Sequence, residues 1–333
     1  MMMKAPTTVF ELSKMLKLSP STVSRALKGH PDIAPETRRR VLELARKLDY
    51  EPNAYAVSLR TNTSREFGVI VPSLSGYFYD SFIAAVEEQA RSQGYSLIIL
   101  ISGDDPKVEL DNLRICKQRR TVGIFISVSS RTANYEHFQR LQQQEMPVVF
   151  FDKVPERLAC HKIRFDDEKA AGMAADYLIQ KGKRNVLSLF GDPNMSITKW
   201  RAEAFSRTFD EKGMEQNYST QFALNSEMAD KAVIKAMKSN TKPDSIFCMT
   251  DEILIGAMKA LQVLGSKIPN DVGILSISNG SFPLHYFPEV TYIETSGIKL
   301  GNLAFSHMMD FLSGEKDLIE LSVEPVLVEG GSL

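Results

Sequence analysis

Cysteine is scarce in this 333-residue chain, with three residues at positions 116, 160 and 248 and no CxxC pair or histidine at ligand spacing beside them. That leaves no disulfide framework and no metal site to build, and buried free thiols in a reducing compartment are the expected use. The five histidines, at 30, 137, 161, 285 and 307, also fall at no metal-ligand spacing. No GxGxxG or GxxxxGK[ST] phosphate loop occurs, nor a nucleophile–base set. An enzyme on a dinucleotide-binding sheet is therefore unsupported, and no catalytic residue or cofactor is expected. No apolar run approaches the ~18 residues of a membrane span. The stretch from Met1 to Thr8 lacks the apolar core of a signal peptide, so a cytoplasmic, non-membrane protein is expected.

What is present is a chain long enough for two or three domains, 43% hydrophobic, and so able to fill packed cores. The formal net charge of −1 hides an asymmetry. Residues 1–66 hold twelve lysines and arginines against seven acids, a surplus of five positive charges, and the remainder carries a deficit of six. A basic end on an acidic body suits a phosphate-binding head on a regulator, although basic solvated faces are common.

The basic end reads as three short helices. Val9 to Lys17 is amphipathic, with Leu12, Met15 and Leu16 inward and Thr8 placed to cap it. About three residues later Ser19 caps a second helix opened by Pro20, a position that needs no backbone N–H. Val23, Ala26 and Leu27 face inward there, and Ser21, Thr22, Ser24 and Arg25 form the polar side. Such a pair is a helix-turn-helix, whose second helix enters a major groove; any helical domain can also contain a capped helix pair. Gly29 to Asp32 is turn chemistry, and Pro35 opens a third helix to about Leu48 that closes the head. Arg38, Arg39 and Arg40 lie mostly outward on it.

From Phe67 onward apolar runs alternate with amphipathic helices. A first set of strands falls at 67–71, 97–101, 122–128 and 148–151, with helices near 79–92, 106–119 and 134–144. A second set runs from Lys162–Phe165 to Val272–Ile277. This alternation predicts parallel sheets covered on both faces. Two α/β halves in tandem imply a cleft between them, with ligands bound outside the carboxyl ends of the strands.

The run Ser19-Pro20-Ser21-Thr22-Val23-Ser24-Arg25-Ala26-Leu27, followed by Thr37-Arg38-Arg39-Arg40-Val41 and Leu48-Asp49-Tyr50-Glu51-Pro52-Asn53, resembles the start of the LacI/GalR family of bacterial transcription regulators. The resemblance covers almost the whole chain. It implies a small all-α helix-turn-helix head over residues 1–51 and a hinge helix and linker over 52–66. It also implies an α/β periplasmic-binding-protein-like body of two parallel-sheet lobes over 67–333. Lobe one would comprise about 67–160 and 291–313, and lobe two about 161–290 and 314–333.

The implied function is a homodimeric regulator, a repressor, that binds near-palindromic double-stranded operator DNA under control of a small molecule, most simply a sugar or sugar derivative. Thr8, Ser19, Pro20, Ser21, Thr22, Ser24 and Arg25 are the DNA-facing candidates of the head. Asn53, Tyr55, Ala56 and Leu59 are those of the hinge helix, where Leu59 matches the family's minor-groove wedge. The alternative for Leu59 is ordinary packing. Phe78 and Tyr79, Asp152, Arg201 and Asp251 match effector-contacting positions. An arginine fork, carboxylates and aromatic faces together orient polyols or sugar acids. Asp251 could instead cap a helix, Phe78 could be core, and Trp200 could pack outward. Replacing Arg201 with alanine is expected to abolish the response without unfolding the body.

Three departures from the family pattern matter. Ser276-Ile277-Ser278-Asn279-Gly280 stands where the family often carries a ligand-contacting acid, so Ser278 or Asn279 would have to serve. Lys17 occupies a turn position that is usually glycine, and the tail lacks a common arginine. The competing reading is a transport-type sugar-binding protein without a regulatory role, which would call for an export signal. Dimer is preferred to tetramer because no heptad extension follows the body.

Overall fold

A computed structural model describes residues 7–50, 64–74, 77–155, 157–315 and 317–333. The expected hinge residues Asn53, Tyr55, Ala56 and Leu59 lie outside these. The chain divides into two compact units, residues 1–64 and 65–333, taken in turn here.

The first unit contains α1 (Val9–Leu16), α2 (Pro20–Leu27) and α3 (Pro35–Lys47). Thr8 and Glu11 form a reciprocal capping box at the start of α1. Ser19 caps α2 by accepting the Thr22 N–H at 3.1 Å, with Pro20 opening the helix. Leu12, Val23, Ala26, Ile33, Val41 and Ala45 close a small core. Met15 departs from the sequence reading and is 60% exposed. Eight residues of α1 offer only a narrow inward stripe, and Leu12 fills it. Lys17, between α1 and α2, adopts the left-handed conformation at φ 54° and ψ 41°. A β-carbon there costs about 1–2 kcal/mol that glycine would avoid.

The second unit contains, in order, β1 (Glu66–Val71), α4 (Tyr77–Ser92), β2 (Ser96–Ile101), α5 (Pro106–Arg119), β3 (Gly123–Ile126), α6 (Glu136–Gln143), β4 (Val148–Phe151) and β5 (His161–Phe165). There follow α7 (Asp167–Gln180), β6 (Val186–Phe190), α8 (Ser196–Asp210), β7 (Tyr218–Phe222), α9 (Ser226–Met237), β8 (Ser245–Cys248), α10 (Asp251–Leu264), β9 (Gly273–Ser278), β10 (Thr291–Glu294), α11 (Gly297–Leu312), β11 (Glu320–Val323) and β12 (Val326–Val328). They form two six-stranded sheets, ordered β11-β5-β4-β3-β1-β2 and β12-β10-β9-β8-β6-β7. All pairings are parallel except β10 with β12. Both central sheets are buried on two faces by helices, which is why their strands read as continuous apolar runs.

The lobes exchange strands differently from the division read in the sequence. The segment 161–165, placed there in lobe two, pairs with β4 in the first sheet, where Ile163 and Phe165 join the core of Phe67, Phe125 and Phe151. Residues 291–294, placed in lobe one, pair with β9 of the second sheet. Residues 320–323, placed in lobe two, pair with β5 of the first. The chain thus crosses between sheets three times, after β5, β10 and β11. Uninterrupted alternation of strand and helix carries no mark of which sheet a strand joins; the partner does, and the partner is distant in sequence.

Close backbone approach fixes α4, the helix that carries the aromatic pair of the cleft. A β-carbon on Gly297 would meet the Phe78 carbonyl oxygen at 2.6 Å, and one on Gly301 the Phe82 carbonyl oxygen at 2.8 Å. Glycine at both lets α11 lie directly on α4. Beneath them Phe82 stacks on Phe151 at 3.7 Å with the rings 5° from parallel.

Candidate functional site

In the head, Ser21, Thr22, Ser24 and Arg25 lie on the face of α2 away from its buried Val23 and Ala26, with Ser21 and Arg25 exposed. The Ser19 hydroxyl lies 2.8 Å from both the Ser21 and Thr22 hydroxyls, so the polar edge is internally ordered. Arg25 forms an ion pair with Asp32 at 2.5 Å. Of the arginine triplet, Arg38 turns back and donates to the carbonyls of Gly29 and His30, while Arg39 and Arg40 are exposed. Thr8 is exposed at the start of α1 and its hydroxyl is engaged in the cap.

In the body, a cavity of about 590 Å³ opens between the lobes at the carboxyl ends of the strands. It brings together all seven cleft residues singled out in the sequence: Phe78, Tyr79, Asp152, Arg201, Asp251, Ser278 and Asn279. Strand ends place most of them. Asp152 follows β4 in the left-handed conformation, φ 58°, and its Oδ2 accepts the Tyr79 hydroxyl at 2.7 Å. Burial, followed by the charge of Asp152, holds the Tyr79 phenol well above its ordinary value, so it stays a donor. Phe78 packs edge-on against Tyr79 and Phe165.

Arg201, on α8, is more committed than its sequence context suggests. Its Nε and Nη2 lie 2.8 and 2.7 Å from Asp167 Oδ1, and its Nη1 donates to the Met249 carbonyl at 2.8 Å. The two side chains are only 6% and 3% exposed. Burial raises the Asp167 carboxyl above its ordinary value, against the pull of Arg201. Asp251 does not cap α10, because Thr250 does, accepting the Ile253 N–H. The Asp251 Oδ2 accepts the Asn279 N–H at 3.3 Å, whereas burial raises its carboxyl above the usual range. Ser278 is buried, and its hydroxyl accepts the Gly280 N–H.

Three buried polar atoms of this cavity have no hydrogen-bond partner: Asp251 Oδ1, Asn279 Nδ2 and the Thr198 hydroxyl. One only accepts, one only donates and the third does either. Buried polar groups are normally satisfied, so these three unpartnered atoms are the candidate bonding points for a polar ligand in this cavity. Both cations of the lining are paired, Arg201 with Asp167 and Lys153 with Asp104. The acids Asp152, Asp192, Asp251 and Glu252 also line it.

Sequence reasoning missed Thr198, which lies three residues before Arg201 and on the same face of α8, and Asp167, whose role depends on a partner 34 positions away. It also left Trp200 open. Trp200, on α8 of lobe two, receives the guanidinium of Arg164 on β5 of lobe one at 5.1 Å from its ring centre. Arg164 is tied in turn to Glu320 on β11. Among the described residues no cluster of histidine, cysteine or acid could hold a metal ion, and no helix is long and apolar enough to cross a membrane.

Residues 64–323 match the model for periplasmic binding proteins and the sugar-binding domain of the LacI family, and residues 16–53 match that for bacterial regulatory proteins of the lacI family. Among curated relatives, catabolite control protein A of Priestia megaterium is 27% identical over 311 residues, covering 92% of this chain and 93% of that one. The transcriptional repressor PurR of Vibrio vulnificus is 27% identical over 325 residues, covering 96% and 97%. Among solved structures, the Lac repressor dimer bound to operator and an anti-inducer superposes with a TM-score of 0.87 at 18% identity, over 98% of this chain and 99% of that one. The regulator CelR in complex with cellobiose gives 0.69 at 19% identity, over 98% and 99%. These relatives are regulators rather than enzymes. A regulatory head joined to a two-lobed binding body also sets the chain apart from transport-type binding proteins: it belongs to the LacI family of bacterial regulatory proteins.

Proposed function

We propose that this chain is a cytoplasmic transcriptional repressor that acts as a homodimer on a near-palindromic operator, released or recruited by an uncharged, hydroxyl-rich effector, a sugar in the simplest case. Dimer symmetry would match operator symmetry. Arg25 and the Ser21/Thr22 edge would read bases, and exposed cations such as Arg39 and Arg40 would hold phosphates. Leu59, outside the described residues, would be the minor-groove wedge. Effector and operator would each change the other's affinity by the same factor.

The observation that carries the effector class is the trio of unpartnered polar atoms, Thr198 Oγ1, Asp251 Oδ1 and Asn279 Nδ2, in a cavity whose cations are already paired. A hydroxyl can serve all three, whereas a carboxylate or phosphate would meet acids without a free cation. This narrows the sequence expectation by setting sugar acids aside. Phe78 and Tyr79 would cover the apolar face of a sugar ring.

The test is selection of genomic fragments from the source organism by the purified protein at physiological salt, with and without a panel of neutral sugars, sugar acids and sugar phosphates. An enriched palindrome whose recovery changes only with neutral compounds is the expected result. Enrichment that responds to phosphorylated or acidic sugars alone would overturn the effector class. Absence of any enriched sequence under all conditions would overturn operator binding.

A further inference from the structure

The loop after the recognition helix is built more firmly than a simple turn requires. Arg38 Nη2 donates to the carbonyls of Gly29 at 2.8 Å and His30 at 2.7 Å, fastening the loop to α3. Ile33, the residue after Asp32, is buried in the head core. Between these anchors Asp32 extends its carboxylate back to α2. Its Oδ2 lies 2.5 Å from Arg25 Nη1, and its Oδ1 lies 2.5 Å from His30 Nδ1. The acid therefore stands on a fixed mount, beside an arginine on the groove-facing side of α2.

We propose that Asp32 is a selectivity-determining residue of the head, one that positions Arg25 to read guanine and opposes its use as a phosphate clamp. This rests on the base-reading role given to Arg25 above. Guanine offers two acceptors, O6 and N7, to a two-pronged donor. With Nη1 held by Asp32, the Nε/Nη2 edge of Arg25 makes no hydrogen bond among the described residues and is available as that fork. Holding one edge in advance reduces the side-chain freedom lost on binding. The same carboxylate repels phosphate oxygens, so an Arg25 that swings toward the backbone brings an unfavourable charge with it. Specificity is a difference between affinities, and Asp32 acts on both sides of it.

The experiment uses the full chain, in the effector state that binds tightest, on the selected operator, on all its single-base variants and on an unrelated duplex at several salt concentrations. The variants are D32A, D32N, R25A and R25A/D32A, each checked for a folded head by hydrogen exchange at Leu12 and Val23. R25A is expected to erase the preference for one guanine, on the order of tenfold. D32A is expected to weaken preference at that same base pair by about two- to fivefold, the scale of an exposed ion pair. It should leave other positions alone, strengthen binding to the unrelated duplex, and change nothing in the R25A background. D32N keeps an acceptor without the charge, so it should retain part of the guanine preference while binding unrelated DNA more tightly.

If R25A erases a base preference and D32A does not touch it, the role of Asp32 is refuted while that of Arg25 stands. Loss of affinity at every position alike, or an unchanged effect of D32A when Arg25 is absent, would assign Asp32 to the turn alone. A D32A protein with an unfolded head would leave the decision to D32N, by the same criterion. If R25A leaves every base preference intact, the base-reading role fails first and takes this inference with it.

Discussion

Replacing Arg201 with methionine tests the cleft most severely, because the structure makes that arginine a structural residue as well as a ligand candidate. Arg201 and Asp167 are almost fully enclosed, and two guanidinium nitrogens share one carboxylate oxygen. Removing one partner of such a pair strands the other charge, at a cost of about 3–5 kcal/mol. Domains are stable by only about 5–15 kcal/mol, so R201M should bring the body near its limit. With a urea dependence of about 3 kcal/mol/M, the midpoint should fall by about 1–1.7 M. Trp200, the only tryptophan, neighbours Arg201 in sequence and reports the transition by fluorescence. Adding D167N removes the stranded charge, and the double variant should recover most of the loss, leaving a deficit of less than about 2 kcal/mol. A single-variant cost below about 1 kcal/mol, or a double variant no better than the single, would refute the enclosed-pair argument. The sequence reading that an alanine at 201 leaves the body folded is thus joined by an expected loss of stability, which the buried pair with Asp167 makes unavoidable. Ligand binding is properly measured in D167N/R201M, where a lost response cannot be blamed on a weakened fold.

Two further outcomes follow from the buried titrating groups. Burial raises Asp251, so the folded body binds its proton more tightly than the unfolded chain does; the associated stabilisation is complete below the ordinary value of 3.8 and is lost as pH rises through the raised value. D251N should therefore raise the urea midpoint of the ligand-free body at pH 7, with the gain vanishing toward pH 3.8, and should weaken effector binding on the order of tenfold or more; a lower midpoint at pH 7 would contradict this. His161 and His307, 2.9 Å apart and both buried, have lowered values, His161 through burial and then its neighbour's charge, His307 through burial. The neutral pair stabilises the body above pH 6.5 and that contribution is lost as pH falls through the lowered values, so H307Q should flatten the fall in midpoint on the acid side of pH 6.5, and an unchanged fall would exclude the pair as its source.

What the sequence revealed and what it withheld divide along the range of the interactions. Thr8, Ser19 and Pro20 act on backbone groups within three residues, so the starts of α1 and α2 could be read directly. The left-handed strain at Lys17 was legible as a condition and is met at φ 54°. The cleft residues Asp152, Asp251 and Ser278 were reached through the family resemblance, and they lie at or just beyond the carboxyl ends of β4, β8 and β9, the side of such sheets where ligands bind. Thr250 takes the cap that could have been given to Asp251, one position away, a margin that spacing alone does not resolve. Asp167 and Thr198 were hidden because each matters only through groups brought near by folding. The same holds for strand membership: β5, β10 and β11 are ordinary apolar or alternating runs whose sheet is chosen by neighbours far along the chain.

The three crossings between sheets bear on how the body can be made. Lobe one draws on residues 66–165, 297–312 and 320–323, and the second sheet is closed at its edge by 326–328. Neither lobe is a contiguous piece of chain. A nascent chain emerging in order can form most strands of the first sheet early, but it leaves β5 without its outer neighbour and α4 without the glycine face of α11 until nearly all of the protein has been synthesised. The last strands to emerge complete both sheets almost together. Folding of the two lobes is thereby tied to one late event, and a cut or stop before residue 320 leaves two unfinished sheet edges of the kind that other chains can pair with.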